Sequence, residues 1–411
     1  MRAGPLLAAL LCALCPASRA ASADPSLLPE LDARPRAPKP PPAVRLASPA
    51  PPDQEAEPPV EPSAPIELPP LSREERRDSI LEPEEPARRP WFVVRERTWF
   101  MHGTVDERYG QDDPAFSAAS GQGPARSGVS ENARLRGVMP VAEAEFAPLS
   151  WLALDAEYGI AGVSNPGTGV AAWVDAPRAD LVTHGATGAT WANPGHAQWW
   201  RASFGGASAK TTWQSAGLAL RLLESRGGKQ GKAEYDRSID FLAGAHRFRD
   251  EFTMTNERVD FNTGQVPAFP PVGSSADGPL YAKTLVWRGP HVGLRAETSL
   301  PAGFHLDALF LYSPLMEYRG DIYDVAAAGG AARPQSPNIL ERAHGTAVHF
   351  RIGAAWHWDF VALEAGYMRL YFYSRTGLRR TYAADGSSTD RQLDHAVTER
   401  SGLYAGVSFR Y

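Results

Sequence analysis

The length and charge of the chain limit its class of partner. The 411 residues carry 42 Lys and Arg against 47 Asp and Glu, a formal net charge of −5. This small excess of acidic residues argues against a nucleic-acid partner, and no basic cluster interleaved with aromatic residues is present. Both cysteines, Cys12 and Cys15, lie near the N-terminus, so cysteine chemistry is excluded from the remainder of the chain.

Residues 1–23 have the pattern of a secretory signal peptide. One arginine precedes an apolar run at residues 6–14, and small residues follow, which predicts cleavage after Ala23 or Ala20. The run is too short to span a bilayer as a helix. Lipidation at Cys15 is the alternative, and the leucine before that cysteine disfavours it, because lipidation sites usually have a small residue there.

Residues 24–90 are predicted to be a disordered, proline-rich periplasmic linker. More than half of the chain's 37 prolines precede residue 91, mixed with Glu, Arg, Ala and Ser. Such a composition buries too little apolar surface to fold and favours extended polyproline conformations. The segment therefore suits a spacer, or a leader without a role of its own.

Residues 91–411 contain ten runs with alternating apolar and polar side chains, which predicts β-strands. No stretch reaches 18 consecutive apolar residues, so no transmembrane helix is expected. The ten runs are residues 91–105, 131–146, 151–163, 211–224, 237–256, 282–298, 303–318, 344–357, 360–374 and 398–411.

The connections between the runs alternate between short and long. Three are tight, with the sequences Ala-Pro-Leu-Ser, Leu-Pro-Ala-Gly and His-Trp-Asp-Phe, and a fourth, at 224–236, is polar and of middling length. The other five are predicted to be loops of about 20–45 residues. This alternation is typical of an outer-membrane β-barrel, which has tight periplasmic turns, long external loops and an even number of strands.

The two faces of the runs support a transmembrane barrel. In the third run Leu154 and Tyr158 oppose Asp155 and Glu157. An unpaired charged side chain strongly destabilises the core of a soluble protein, whereas charged side chains are common in a barrel lumen. Because the predicted lumen-facing charges mix both signs, they are expected to pair and to fill a narrow barrel: Glu143, Glu145, Asp155, Glu157, Arg295, Glu297, His305, Asp307, His349, Arg351 and Glu364.

Aromatic residues gather near the ends of the runs, which suits interfacial girdles. They include Trp91, Phe92, Trp99, Phe100, Tyr371, Phe372, Tyr373, Phe409 and Tyr411. The final strand is expected to pair with the first, since an open edge is forbidden in hydrocarbon. Its ending, Tyr-Ala-Gly-Val-Ser-Phe-Arg-Tyr, resembles the C-terminal signal that the barrel assembly machinery recognises, so that machinery is a predicted partner.

Two hairpins resemble those of the omptins, a family of ten-stranded outer-membrane proteases. "RGPHVGLRAETSLPAGFHLDALFLYSPLMEYRGDIYD" is similar to an omptin hairpin, and "FAPLSWLALDAEYGIAG" is similar to an omptin turn and strand. The resemblance covers most of residues 91–411 in strand order. It implies a location in the outer membrane and contact with outer-membrane lipid and lipopolysaccharide.

The resemblance also gives candidate catalytic positions. Omptins use an Asp-x-Asp pair on the second external loop and an Asp-Glu-His segment on the fourth. In this chain the second loop retains only Asp175, with Val170 and Ala172 at the positions of the paired acids. The Asp-Glu-His segment falls on Asp321, Ile322 and Tyr323, or with a one-residue slip reaches Asp324, and neither register contains the histidine.

Other candidate sites are weaker. His184 and His196 share the second loop but lack a clear third ligand, so no metal site is expected. The glycine-rich segment at 227–232 is read as a turn, since it does not follow a buried strand, and no cofactor is expected.

These observations predict an outer-membrane barrel of omptin-like architecture that lacks protease activity and acts through its loops in surface binding, adhesion or a structural role. Two alternatives remain open. One is an omptin-type endopeptidase with a rearranged rim site, and the other is a small channel.

Overall fold

The computed structural model describes residues 89–118, 124–175, 181–184, 190–192, 197–225, 237–262, 271–324 and 336–411. The predicted signal peptide and nearly all of the predicted linker therefore lie outside the described residues, as do His196 and the glycine-rich segment at 227–232. No helix in the described part is long and apolar enough to cross a membrane.

The described chain forms one antiparallel sheet that closes on itself. Its strands are β1 (Phe92–Ala118), β2 (Pro124–Leu149), β3 (Leu152–Asp175), β4 (Leu181–His184), β5 (Thr190–Ala192), β6 (Ala197–Ser225), β7 (Arg237–Asn262), β8 (Ser275–Ser299), β9 (Phe304–Asp324), β10 (Ile339–Trp358), β11 (Val361–Tyr382) and β12 (Ser388–Arg410). Ten of them form the closed ring. The other two, β4 and β5, form a short hairpin in which β4 pairs with the end of β1.

The last strand closes the ring against the first, which confirms the predicted pairing. Residues of β12 pair antiparallel along β1, with Trp99 opposite Tyr404 and one shift of register between Arg108 and Tyr109. At the end of the seam the Tyr411 amide donates to the Phe92 carbonyl at 2.9 Å. The C-terminal aromatic strand is therefore a structural member of the wall.

Tight turns lie at one end of the ring, as predicted. The β8–β9 turn contains a short 3-10 segment, Pro301–Gly303, in which Ala302 and Gly303 have positive φ. In the β10–β11 turn Asp359 takes φ 57°, a conformation that Asp tolerates better than most residues. These turns mark the periplasmic end of an outer-membrane barrel.

At the other end the strands extend much further than the sequence predicts. The alternation predicts that the first run ends at residue 105, whereas β1 continues to Ala118 and pairs with β2 as far as Pro124. Most of the residues predicted as long loops are thus strand, and the connection after β11 has only residues 383–387. Above the apolar band the outward face becomes polar, so the periodic hydrophobic signal ends although the backbone pairing continues.

An outward band of exposed apolar side chains surrounds the ring and identifies the surface that faces hydrocarbon. Its members include Phe100, Val138, Leu154, Tyr158, Ile160, Leu218, Leu294, Phe310, Ile352, Leu363 and Leu403. Glu96 is an exception, an exposed carboxylate on the outward face of β1. Charged side chains border the band on the side away from the tight turns: Arg136, Lys210, Arg247, Arg288, Glu317, His344, Arg369 and Glu399.

The predicted faces of the strands are confirmed, and the aromatic girdle needs one correction. In β3 Leu154 and Tyr158 face outward while Glu157 is buried inside. Trp99 and Phe372, grouped by sequence with the girdle, are instead buried in the interior at 0% and 1% exposure. An aromatic side chain can fill the lumen as well as line the interface, and only its position in the strand register decides between the two.

Candidate functional site

The interior of the barrel is filled in three layers, which decide where a site could lie. The layer next to the tight turns is ionic, and Glu143 accepts hydrogen bonds from Arg95, at 2.5 Å, from Arg97, and from Arg351, at 3.1 Å. Arg295 in the same layer donates to Glu145 at 2.7 Å and to Asp240 at 2.8 Å. The predicted pairing of lumen charges is confirmed for Glu143, Glu145, Arg295 and Arg351. Such pairing is required because a buried ion is tolerated only when it is paired.

Arg89, which precedes β1, joins this layer. Its guanidinium donates to Glu145 at 2.9 Å and to Asp240 at 3.1 Å, and the residue is 8% exposed. The ordered barrel therefore begins before residue 91. Two cavities remain in the layer, of about 20 and 30 Å³, each with room for one or two water molecules.

The middle layer is apolar and aromatic. Phe372 stacks on Phe248 and on Trp287, with ring centroids 5.1 and 5.6 Å apart. Such aromatic pairs add packing energy beyond the area they bury. The layer closes the lumen and includes Trp99, Met101, Leu135, Met139, Trp213, Phe248, Trp287, Met316, Met368 and Phe372.

The outer layer lies above the lipid band, inside the extension of the barrel, and contains a buried cluster of charges. Lys283 of β8 points inward, where its ammonium group donates to Glu131 at 3.0 Å and to Glu107, and it lies 3.7 Å from Glu341. Four different strands supply these residues, and none is more than 7% exposed. We call Glu107, Glu131, Lys283 and Glu341, together with Arg379, the outer charge cluster.

Arg379 completes the cluster from β11. Its guanidinium donates to Glu341 at 2.6 Å and to Glu131 at 3.4 Å, and it lies over the ring of Tyr109 at 3.7 Å. The Tyr281 hydroxyl donates to Glu131 at 3.2 Å. Glu131 thus has several donors, whereas the cluster as a whole contains three carboxylates and only two cations.

The contacts of Tyr318 show that the excess negative charge of the cluster is neutralised by a proton. Its hydroxyl oxygen lies 2.7 Å from a carboxylate oxygen of Glu107 and 2.7 Å from one of Glu341. A hydroxyl has one proton and can donate to only one of them. The second contact at this distance requires a proton on a carboxyl group, so one glutamate of the cluster is neutral.

The titration behaviour of the cluster identifies the protonated group. Burial, followed by the charge of Glu341, raises the pKa of Glu107 to about 8 against the opposing effect of Lys283. Burial also acts to raise the pKa of Glu131, but Lys283 and Arg379 outweigh it and hold that pKa below the ordinary value. Glu107 is therefore the group that keeps a proton at neutral pH.

We expect this proton to make the barrel less stable in alkali. Between about pH 4.5 and pH 8 the folded state binds one proton more at Glu107 than the unfolded state does, so the free energy of unfolding falls as the pH rises through this range. A loss of at least about 2 kcal/mol from pH 5 to pH 9 is expected. Urea unfolding followed by tryptophan fluorescence measures it.

The matched variants for this prediction are Glu107→Gln and Glu251→Gln. The first removes the titrating group and should flatten the pH dependence, while the second changes a more exposed carboxylate paired with Arg249 at 2.9 Å and should leave the dependence unchanged. A pH dependence that persists unchanged in Glu107→Gln would show that Glu107 does not hold the proton.

The sequence-predicted site residues do not converge on this cluster. Asp321 faces the outside of the wall, where Arg319 donates to it at 2.8 Å and Arg342 at 3.5 Å. Asp324 lies at the end of β9, and its backbone amide and carbonyl are both bonded to the side chain of Asn338 at 2.8 Å. Asp175 ends β3 and pairs with Arg126 in register, and its side chain lies outside the described part.

In the ungapped register the glutamate position of the resemblance is occupied by an apolar residue, and the histidine position by Tyr323. Ile322 points into the barrel and is 0% exposed. A different acid–histidine pair is present, in which His395 lies 3.1 Å from Asp106, but it sits on the outer face at the β1–β12 seam. Among the described residues, no group of three or more His, Cys, Asp or Glu side chains could hold a metal ion.

Sequence reasoning missed the outer charge cluster because Glu107, Glu341 and Arg379 fall in segments predicted as loops, while Glu131 and Lys283 lie at the outer ends of predicted strands. Glu107, Lys283 and Glu341 each lie in or beside a connection between predicted runs. A period-two pattern of polar and aromatic inward residues, such as Glu107 and Tyr109, continues above the lipid band. That pattern could have extended the strands, although it could not have predicted that five of them come together.

The fold and its neighbours define a ten-stranded transmembrane β-barrel of the outer-membrane type. The chain is similar to the crystal structure of the outer-membrane protease OmpT from Escherichia coli, with 12% identity, coverage of 78% of this chain and 96% of that chain, and a TM-score of 0.56. At this identity the likeness concerns the fold alone.

Two further barrels match less well. A Pseudomonas aeruginosa FadL homologue is 8% identical over 78% of this chain and 90% of that chain, with a TM-score of 0.28. The CymD monoaromatic hydrocarbon channel is 8% identical over 76% and 89%, with a TM-score of 0.23. These TM-scores are too low to carry an argument. No family model and no curated protein matches the chain.

Proposed function

We propose that the protein is a closed barrel of omptin-like architecture in the outer membrane, without protease activity, whose external extension serves in surface binding. The observation that carries this proposal is the outer charge cluster. Lys283 and Tyr318 already occupy the space between the carboxylates of Glu107, Glu131 and Glu341. A hydrolytic water held between paired acids has no room there, and each acid is already bonded to a protein group.

The candidate acids from the resemblance support the same conclusion. Asp321 is engaged by two arginines on the outer wall, Ile322 stands where the omptin segment has glutamate, and neither register supplies the histidine. General base catalysis needs a group within hydrogen-bond reach of the attacking water and a pKa near the working pH. The described rim offers no such arrangement of these residues.

The filled lumen disfavours the alternative of a small channel. Within the described residues, the cavities of the ionic layer measure about 20 and 30 Å³, and the aromatic layer lies above them. A conducting pore needs a continuous water-filled path, whereas a barrel this narrow is filled by side chains. We therefore propose a structural rather than a conducting lumen.

Lipopolysaccharide is the proposed lipid partner, and the barrel assembly machinery the proposed partner of the terminal strand. On the outward face of β11 Tyr371 and Tyr373 stack with centroids 6.4 Å apart. Arg369 lies over the first ring and Arg375 over the second, each at 5.9 Å. Aromatic and cationic side chains at the edge of a lipid band suit sugar and phosphate headgroups.

The test of the proposal is a protease assay. Refolded protein with lipopolysaccharide is incubated with peptides that contain paired basic residues, beside the variants Asp321→Ala and Asp324→Ala. We expect cleavage that is lower by orders of magnitude than that of an active omptin and unchanged in both variants. Robust cleavage by the parent that is lost in either variant would overturn the proposal and establish the rearranged-site endopeptidase.

A further inference from the structure

The ladder between β8 and β9 is interrupted at the outer edge of the lipid band. Arg288 pairs with Glu317, but the next paired residues are Val292 and Tyr312. The interruption contains Pro290 on one strand and Pro314 on the other, and proline has no N–H to donate. Unpaired backbone in a membrane wall is costly, so such a break is retained only for a reason.

A groove opens on the outside of the wall at this break. Its volume is about 860 Å³, and its apolar lining includes Ala216, Ala245, Pro290 and Leu315. Ser215 and His246, which belong to the inward face of their strands, also line it. The groove therefore cuts into the wall. We call it the lateral notch.

His246, which lines the lateral notch, has a buried polar atom without a partner. The residue is 4% exposed, and its Nε2 lies 3.1 Å from the hydroxyl oxygen of Ser313, while its Nδ1 has no hydrogen-bond partner. When the Ser313 hydroxyl donates to Nε2, the neutral ring carries its proton on Nδ1 and offers a donor. Buried donors are normally satisfied, so an acceptor that enters the notch would complete the bonding of this ring.

The charge at the mouth of the notch favours an anion. Arg247 and Arg288 lie directly opposite each other on neighbouring strands, an arrangement of like charges that destabilises a sheet. Glu317 compensates Arg288 at 2.8 Å, whereas Arg247 has no ion pair in the part of the chain that the structure describes. One positive charge beside an apolar groove thus remains available.

We propose that the lateral notch binds a single long-chain fatty acid from the outer leaflet. The carboxylate accepts hydrogen bonds from Arg247 and from Nδ1 of His246, and the chain lies along Ala216, Ala245 and Leu315. The volume suits a ligand of this size. The site is independent of surface binding at the external end, so either proposal can fail alone.

The experiment uses the refolded full chain in phosphatidylcholine nanodiscs and a palmitic acid that carries a photoreactive diazirine. Adducts are mapped by mass spectrometry, with unlabelled palmitate, hexadecanol or lipopolysaccharide as competitors. We expect adducts on peptides that contain Ala245 or Leu315, displaced by palmitate at about tenfold lower concentration than by hexadecanol. The tenfold difference corresponds to the loss of one charge-assisted hydrogen bond.

Three variants and a matched control make the test specific. Ala245→Trp fills the notch and should abolish competable labelling, whereas Ala365→Trp places the same side chain on the outward face of β11 and should not. Arg247→Gln and His246→Phe should each weaken palmitate competition about tenfold. Because Arg247 is exposed, its variant is expected to fold normally even if His246→Phe does not.

Two results would overturn the inference. The first is labelling spread evenly around the lipid band, or labelling that Ala245→Trp leaves unchanged, since either identifies ordinary annular lipid. The second is displacement of the probe by lipopolysaccharide but not by palmitate, because that result assigns the notch to a phosphorylated multi-chain lipid instead of a fatty acid.

Discussion

Replacing Lys283 with methionine is expected to destabilise the barrel by about 3–5 kcal/mol, the usual cost of removing one partner from a buried ionic network. The ammonium group contacts Glu107, Glu131 and Glu341, which are at most 7% exposed. Methionine has a similar length and preserves packing, so the loss reports the charge. The free energy of unfolding of refolded protein in urea measures it.

The control for this variant is Lys210→Met, which removes an exposed lysine from the outward face of β6 and should cost less than about 1 kcal/mol. Acid should partly rescue the Lys283 variant. Without the lysine the buried carboxylates bind protons more tightly in the folded state than in the unfolded state, so stability rises as the pH falls. A loss that is equal for the two lysines, or equal at pH 5 and pH 9, would refute the proposed role of Lys283.

Replacing Ile352 with arginine is expected to cost about 2–4 kcal/mol and to impair assembly, because a cation on the lipid face is most expensive near the bilayer midplane. Ile352 is 50% exposed and lies within the apolar outward stretch of β10. Heat-modifiable mobility in detergent gels reports assembly, and urea unfolding of the refolded variant in liposomes reports the free energy.

His344→Arg is the matched control, since His344 faces outward on the same strand but lies in the charged border of the band. Its expected cost is about 0–1 kcal/mol, the value for a cation near the interface. If the two substitutions had equal effects, the band of exposed apolar residues would not mark the depth of the membrane.

The site was less predictable than the wall because the two depend on different physical rules. The inward position of Glu143 and the outward position of Leu154 follow from the period-two geometry of a strand, which sequence displays directly. The contact of Lys283 with Glu107 joins residues far apart in the chain through closure of the ring. Nothing local in either segment encodes that contact, and the segment that contains Glu107 was predicted to be a loop.

Asp321 shows that a sequence motif can also place a residue on the wrong face of a strand. The resemblance to omptin motifs placed it at a catalytic position, yet the β9 bulge beside Pro314 shifts the register with β8 and β10 there. Beyond the bulge Asp321 faces outward, where it pairs with Arg319. A shift of one residue in a strand exchanges its two faces, so a motif match near a bulge cannot say which face a side chain occupies.

The sequence by itself determined the ten strands of the ring, the tight turns at one end and the two faces of each strand within the lipid band, because water, hydrocarbon and the pleat impose a repeating pattern on every segment. The tertiary structure decided how far the strands extend above the membrane, that Trp99 and Phe372 fill the lumen, and that five strands build the outer charge cluster. These features depend on the closed register of the ring, where contacts between distant residues, rather than local periodicity, set the energy.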